Sequence, residues 1–296
     1  MIQWLVDPWT WGDWMWRGMV TVHLVAIAAA VLGVFLYLRR MSLIADALAH
    51  VALPGIVAAF LISGSLDGPV MLGGAVVVGL VAAWAIQTLS NRPTIKGDAA
   101  IGIVFTSFFA VGVILLSTVV RDAHIDTHCL LFGDVLGISD RALGLVLFVV
   151  PTVLVLVAIF FRWLAVSSFD PKFAMAIGVP VGAMNYGLMT AVTVTAVAGF
   201  EAVGAILVIA LIIVPGATAH LLADRLGSMI GWAVAHTVVS CWVGMYVAIY
   251  ANTSAAGAIV VVGGVLYLAA FLLSPRHGRL WMARRSLLRS RTSVSH

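Results

Sequence analysis

Residues Ser42 to Gly55 have the sequence SLIADALAHVALPG and open an apolar run that continues to residue 63. The run is about 20 residues long, which is the length that a helix needs to cross the hydrocarbon core of a bilayer. It nevertheless contains a carboxylate, Asp46, and an imidazole, His50. The stretch therefore predicts a membrane-spanning helix that carries a polar site.

The composition of the whole chain indicates that this helix is one of many. Of 296 residues, 63% are hydrophobic and only 9% are charged, whereas soluble domains contain about 25% charged residues. We therefore predict an all-α polytopic membrane protein with eight or nine transmembrane helices, eight if one of the segments is re-entrant. The candidate spans lie near residues 19–38, 42–63, 69–89, 99–120, 141–161, 181–198, 202–222, 228–250 and 256–273.

Basic residues are concentrated after the last candidate span. Arginines follow Ser274 at positions 276, 279, 284, 285, 289 and 291. Lys and Arg favour the cytoplasmic side of a membrane protein, so we predict one transmembrane domain over residues 1–275 and a basic cytosolic tail over residues 276–296. With nine spans the amino terminus would then lie outside. A basic tail directly after a span is typical of an anchor at the membrane surface, and not of a nucleic-acid-binding patch.

Asp46 and His50 are four residues apart, so on a helix they project from the same face. Pro54 continues that row, and its missing N–H frees the carbonyl oxygen of His50. Counted from Arg40 at about 1.5 Å per residue, His50 would lie about 15 Å deep, near the middle of the membrane. The pair could be a structural hydrogen bond, or Asp46 could cap the helix start near Ser42.

The other interpretation of the pair is a transient metal site on a translocation path. An ionised side chain at membrane depth costs about 2.5–3.5 kcal/mol, so it normally faces a polar partner or a wet cavity. Carboxylate and imidazole together suit Mn²⁺, Fe²⁺ or Zn²⁺, and so few ligands would bind the ion weakly enough to release it. A two-fold dimer would bring two copies of Asp46 and His50 together around one ion.

A second segment, residues 167–180, has the sequence SSFDPKFAMAIGVP between two candidate spans. Asp170 is a favourable helix N-cap and Pro171 a favourable first helical residue. The segment therefore predicts a helix of one or two turns within residues 169–180. Phe173, Ala174 and Ile177 would form its apolar face, and Gly178 would end the helix. Such a helix could press into a groove of a partner protein or lie on the lipid surface.

Motifs for ATP hydrolysis and for metal-dependent proteolysis are absent from the sequence. It has no G-x-x-x-x-G-K-[ST] phosphate loop and no H-E-x-x-H zinc motif. Any ATP hydrolysis would then belong to another chain, and we predict that this chain is not itself an enzyme. Two other functions stay open at this point. One is a proton-coupled secondary metal carrier with Asp46 as the proton acceptor, and the other is a membrane enzyme that uses Asp46 and His50 as an acid–base pair.

Five segments, in the same order, resemble the permease subunits of bacterial ABC importers for manganese, zinc and iron. Together they extend over roughly Met19 to Pro275. They are LRRMSLIADALAHVALPG (38–55), GDAAIGIVFTSFFAVGVILLS (97–117), LLFGDVLGIS (130–139), FDPKFAMAIGVP (169–180) and VGAILVIALIIVPGATAHLLA (203–223). The first of them contains an Asp-x-x-x-His pair followed by Leu-Pro-Gly, which is similar to the hallmark of that family.

The resemblance implies a type II-like ABC importer permease in the bacterial plasma membrane, built as a homodimer. Each copy would dock one ATP-hydrolysing subunit through the side chains named above in residues 169–180, and an extracytoplasmic binding protein would deliver the metal. Asp46 and His50 would coordinate the passing ion, manganese first and zinc or iron next, with no permanently bound cofactor. The family pattern also supports a metal contact at Asp126, within the outer-loop sequence HIDTH of residues 124–128.

Three further polar residues lie in or beside the candidate spans. Glu201 occupies a position where manganese-type members often have glutamine. It could set the charge of an outer vestibule, but we favour a cap on the helix that is predicted to begin at Ala202. His23 and His236 are single histidines within spans, where packing or an interhelical hydrogen bond is more common than metal binding.

Overall fold

The computed structural model describes residues 12–64, 68–119, 135 and 137–274. Within those ranges the chain is helical and has no β-strand, which confirms the predicted all-α class. The helices are α1 (Asp13–Leu38), α2 (Ile44–Ser63), α3 (Gly68–Ser90), α4 (Gly97–Val119), α5 (Asp140–Ile159), α6 (Phe161–Phe169), α7 (Pro171–Ala176), α8 (Val181–Val203), α9 (Ala205–Leu222), α10 (Leu226–Ala251) and α11 (Ala255–Leu273). The predicted metal contact at Asp126 and the basic tail of residues 276–296 lie outside the described residues.

In the described part of the chain, nine helices are long and apolar enough to cross a membrane. They are α1 to α5 and α8 to α11, which correspond to the nine candidate spans of the prediction. The short helices α6 and α7 form the connection between the spans α5 and α8. Most span bounds agree with the prediction to within a few residues, because charged residues, Gly or Pro interrupt the apolar runs at those points.

Helix α1 is the most buried of these spans and packs against α5, α8, α9 and α10. Its closest approach is to α9, where a Cβ placed on Gly33 would lie 2.0 Å from the carbonyl oxygen of Ile212. From the other side, a Cβ on Gly216 of α9 would lie 3.0 Å from the carbonyl oxygen of Gly33. The two backbones can touch only because neither glycine carries a side chain.

Helix α2, which carries Asp46 and His50, packs against α3 and α4. A Cβ on Gly55 of α2 would lie 2.4 Å from the carbonyl oxygen of Gly74 on α3. On the other side, a Cβ on Gly112 of α4 would lie 2.8 Å from Cδ of Pro54. Small residues on α2, α3 and α4 therefore allow the helix of the candidate site to be held closely by two neighbours.

The turn between α1 and α2 is short and hydrogen-bonded. Arg40 has a positive φ of 58°, and its N–H donates to the carbonyl oxygen of Tyr37. The N–H of Met41 donates to the carbonyl oxygen of Leu36. This is the Schellman arrangement, in which a left-handed residue ends a helix and the following N–H groups satisfy its last carbonyls. The arrangement fixes the direction in which α2 leaves α1.

The prediction that Glu201 caps a helix beginning at Ala202 is wrong. Helix α8 continues to Val203, and the break falls at Gly204, whose φ is 88°. Glycine adopts such a conformation far more readily than other residues, so the chain breaks at the glycine and not at the acidic residue. Glu201 lies in the last turn of α8, where its Oε1 atom is 3.4 Å from the guanidinium of Arg141 on α5.

Candidate metal-binding site

Asp46 and His50 lie on one face of α2, and Asp46 occupies the first turn of that helix. The Nε2 atom of His50 is 3.8 Å from Oδ1 of Asp46, which is too long for a hydrogen bond. The N-cap position belongs to Leu43, which provides no side-chain cap. The pair is therefore not closed on itself, and Asp46 does not act as the N-cap. The facing nitrogen and oxygen atoms remain open to a third group.

The pair lies nearer to the end of the helix than the sequence predicted. His50 is six residues from Ile44, the first residue of α2, which is about 9 Å along the helix axis. The predicted depth of about 15 Å assumed a continuous helix from Arg40. Residues 39–43 form a compact turn instead, which removes that part of the rise. The candidate site thus sits in the first third of α2, close to the turn that precedes it.

The imidazole of His50 packs against two phenylalanines of α4. Its ring centroid is 5.3 Å from that of Phe105 and 5.6 Å from that of Phe109, and the two phenyl rings are stacked on each other. These rings restrict the imidazole while its Nε2 atom faces Asp46. The contact could not be predicted from the sequence. Phe105 and Phe109 are four residues apart and share a face of α4, but nothing in the sequence says which helix that face meets.

The chain itself supplies few ligands at this site. In the single chain, 51% of the Asp46 side chain and 38% of the His50 side chain are exposed. Across the described ranges, no group of three or more His, Cys, Asp or Glu side chains could hold a metal ion. Two side-chain ligands are fewer than a closed structural zinc site requires. The arrangement suits an ion that is held briefly and passed on.

The short helix predicted within residues 169–180 is present as α7. Oδ1 of Asp170 accepts hydrogen bonds from the N–H groups of Lys172, at 3.1 Å, and Phe173, at 3.0 Å. These bonds confirm the predicted N-cap, and Pro171 is the first helical residue as predicted. Gly178 follows the helix with a positive φ of 83°, which is the conformation that a glycine stop signal provides.

The exposed surface of α7 differs from the prediction at Ala174. This residue is fully buried in the chain itself, and its carbonyl oxygen accepts a hydrogen bond from the N–H of Val179 at 2.9 Å. Successive helical residues point about 100° apart, so Ala174 turns inward beside the exposed Phe173. The large apolar side chains exposed in residues 169–180 are Phe169, Phe173, Met175 and Ile177.

A model of the ABC 3 transport family matches residues 12–274 of the sequence. The chain belongs to the ABC 3 transport family. As a member it is a membrane permease of an ABC transporter, and the family resemblance found in the five sequence segments is confirmed.

Named proteins resemble this ABC 3 permease over most of their length. It is 40% identical over 281 residues to the manganese transport system membrane protein MntD of Bacillus subtilis (strain 168), and the match covers 91% of this chain and 95% of that protein. It is 38% identical over 268 residues to the zinc transport system membrane protein TroD of Treponema pallidum (strain Nichols), with 86% of this chain and 72% of that protein covered.

A solved structure shares the fold. PsaBC from Streptococcus pneumoniae, in complex with Fab, contains a chain that matches this permease with a TM-score of 0.80 and 34% sequence identity. The match covers 96% of this chain and 100% of that one. The prediction of an ABC importer permease fold is therefore confirmed.

Two other histidines of the permease make structural contacts, as predicted. Nε2 of His236 on α10 lies 3.1 Å from the carbonyl oxygen of Gly263 on α11, which forms an interhelical hydrogen bond. Nδ1 of His23 donates to the carbonyl oxygen of Met19 within α1, at 2.7 Å. The His23 ring also packs edge-on against Trp242 of α10. His236 thus makes the predicted interhelical hydrogen bond, and His23 makes the predicted packing contact.

Proposed function

We propose that this permease is the transmembrane subunit of an ATP-driven importer for a divalent transition metal, Mn²⁺ first and Zn²⁺ or Fe²⁺ next. The observation that carries the proposal is the open pair of Asp46 and His50, whose facing atoms are 3.8 Å apart on a spanning helix. Mixed carboxylate and imidazole donors suit these ions. The name of the relative MntD supports manganese, and the name of TroD supports zinc as the next candidate.

The exposure of Asp46 supports a homodimer. About half of its side chain is accessible in the single chain, and contact of a charged group with lipid is unfavourable. A second copy, related by a two-fold axis, would cover this face and bring two Asp46 and two His50 side chains to one path. The neighbouring helix α4 is among the least buried spans, as expected of a helix that a partner covers.

The apolar side chains of α7 support the docking of an ATPase. Phe173 and Met175 of α7 and the following Ile177 are exposed outside the spans, and the helix is short enough to enter a groove of another protein. Each copy would bind one ATP-hydrolysing subunit there, since this sequence has no phosphate loop of its own. Docking would place α7 and the end of α11 on the cytosolic side of the plasma membrane. An extracytoplasmic metal-binding protein would dock at the opposite end.

Alternating access would then proceed through the paired sites. The binding protein delivers the ion, which passes to Asp46 and His50, and ATP-driven movement of α7 switches the side from which the site is reached. The two states must differ in metal affinity for the switch to move the ion. When the two copies approach, both pairs of donors hold the ion, and when they separate each chain holds too few ligands to retain it.

The proposal is tested with the permease, its ATPase and its metal-binding protein reconstituted in vesicles. We expect vesicle uptake of radiolabelled Mn²⁺ that requires ATP, and parallel measurements with Zn²⁺ identify the preferred ion. Uptake that needs no ATPase and follows an imposed pH gradient would indicate a proton-coupled carrier instead. Metal-independent turnover of an organic substrate that is lost with Asp46 and His50 would indicate a membrane enzyme.

Replacement of Asp170 by alanine is expected to weaken the binding of the ATPase. The change removes the acceptor for two backbone N–H groups of α7. Loss of an N-cap costs about 1 kcal/mol, so binding should weaken about fivefold, as measured by titration of the ATPase against purified permease. Asp170→Asn is the matched control, because asparagine caps a helix as well as aspartate does. If Asp170→Asn weakened binding as much as Asp170→Ala, the charge and not the cap would be responsible.

A further inference from the structure

The side chain of Arg39 joins three helices at the end of the bundle that carries α7. Arg39 directly follows α1, and its Nε atom donates to Oγ of Ser168 at 3.0 Å. One terminal nitrogen donates to Oγ of Ser167 at 3.0 Å, and the other donates to Oδ1 of Asn185. Ser167 and Ser168 belong to α6 and Asn185 belongs to α8. A single guanidinium therefore connects the ends of α1, α6 and α8.

The partners of Arg39 flank α7 on both sides. Ser168 precedes the N-cap Asp170 by two residues, and Asn185 follows Pro180, the residue before α8, by five. The two serines also donate to the carbonyl oxygen of Leu164, so their hydroxyl groups are fixed within α6. Arg39 thus holds the chain where it enters and where it leaves the α7 segment.

On its other side, Arg39 begins the turn that leads to the candidate metal site. Asp46 is seven residues after Arg39, and the intervening turn is held by the Schellman hydrogen bonds at Arg40 and Met41. The N–H of Ile44 then donates to the carbonyl oxygen of Met41, which starts α2. Because the connection is short and hydrogen-bonded at Arg40, Met41 and Ile44, we expect displacement of Arg39 to be transmitted to the first turn of α2.

The side chain of Arg39 is half-buried beside a polar cavity. Burial lowers the pKa of Arg39 to about 10, so the guanidinium still carries its proton near neutral pH. Its partners are two hydroxyl groups and an amide, all neutral. The cavity has a volume of about 620 Å³ and is lined by Arg39, Gln87, Lys96, Asp98, Pro171 and Asn185, among others. Withdrawing a charge partly from water among neutral partners is unfavourable if its role is only to pack the helices. The cavity also leaves space for the flanks of α7 to move.

We propose that Arg39 is the positioning residue through which movement of α7 reaches Asp46 and His50. Its three hydrogen bonds make the flanks of α7 and the start of α2 move together, so that the ATPase and the metal site are coupled. The inference rests on the proposed function, since it takes α7 as the ATPase-docking helix. It assigns to Arg39 no contact with the metal itself.

The test uses the complete complex with its ATPase and binding protein in vesicles, and radiolabelled Mn²⁺ as the probe. Uptake per ATP hydrolysed is measured for Arg39→Gln and Asn185→Ala, with Arg40→Gln as the matched control, since it removes the neighbouring arginine. We expect the Arg39→Gln complex to hydrolyse ATP at a rate within about twofold of wild type, while its uptake per ATP falls about tenfold. Uptake per ATP should fall less for Asn185→Ala. Arg39→Lys keeps the positive charge but lacks the planar guanidinium with its several donors. Its uptake per ATP should lie between those of wild type and Arg39→Gln.

A second readout does not depend on transport. In complexes with Cys129 and Cys241 replaced by alanine, D46C is labelled with a maleimide in the presence and absence of ATP and vanadate. We expect ATP to change the labelling rate of this D46C parent protein. When Arg39→Gln is added to the parent, ATP should no longer change the rate. An equal effect of ATP in both proteins, or none in the parent, overturns the inference. Unchanged uptake per ATP in assembled Arg39→Gln and Asn185→Ala complexes also overturns it, whereas absence of ATP-dependent uptake by wild type contradicts only the proposed function.

Discussion

Replacement of His50 by alanine is expected to abolish most metal uptake. Among the residues that the structure describes, the permease presents only Asp46 and His50 as His, Cys, Asp or Glu ligands at this point, so the change removes one of two such donors per chain. Even the loss of an outer-shell partner of a metal ligand costs up to about 100-fold in affinity or activity, so we expect a fall of at least that size. Uptake of radiolabelled Mn²⁺ by vesicles with the reconstituted complex measures the effect.

Asp46→Asn should give a loss of similar size, because the amide keeps the shape of the side chain but loses the negative charge that attracts the cation. His23→Ala is the matched control. It removes another histidine from a spanning helix, one that is hydrogen-bonded to Met19 within α1 and packs on Trp242. We expect uptake by His23→Ala to stay within about twofold of wild type, provided that the complex assembles. Uptake at the wild-type rate by a protein with both Asp46→Asn and His50→Ala would show that the pair is structural.

Replacement of Gly33 by alanine is expected to prevent the correct packing of α1. The new Cβ would lie 2.0 Å from the carbonyl oxygen of Ile212, and real Cβ atoms essentially never come this close to another atom. The obstructing atom belongs to the main chain, so a change of side-chain rotamer cannot relieve the clash. Helices α1 and α9 must therefore separate. Overpacking usually costs about 1–3 kcal/mol and occasionally more. We expect the upper end of that range, measured as a lower unfolding temperature and a lower yield of folded permease in detergent.

The control for this prediction is Gly187→Ala on α8. A Cβ at Gly187 would meet no atom within 4 Å, and alanine favours a helix over glycine by about 1 kcal/mol. Its unfolding temperature should therefore equal or exceed that of the wild-type permease. If Gly33→Ala were as stable as Gly187→Ala, the close crossing of α1 and α9 would not be required for the fold.

Local signals in the sequence were sufficient for much of this structure. Apolar runs of span length predicted the nine spanning helices, and the spacing of Asp46 and His50 placed them on one face because a helix repeats every 3.6 residues. Asp170 could be assigned as an N-cap because capping depends on residues two and three positions away. Each of these features is decided within a few turns of one helix.

The features that the sequence did not predict depend on contacts between distant segments or on single backbone conformations. Glu201 was assigned to the wrong helix because the break depends on the φ of Gly204. The contact of His50 with Phe105 and Phe109 requires the packing of α2 on α4. The hydrogen bonds of Arg39 connect residues more than a hundred positions apart. No periodicity within one helix contains such information.

The contact between Gly55 and Gly74 has a consequence for how the permease can change conformation. With the two backbones this close, α2 cannot slide or rotate against α3 without a clash between main-chain atoms. The two helices must then travel as one rigid hairpin. Any rocking that opens the path at Asp46 would therefore also displace α3. The helices would then shift against one another at the surfaces where this hairpin meets α4, α8 and α9.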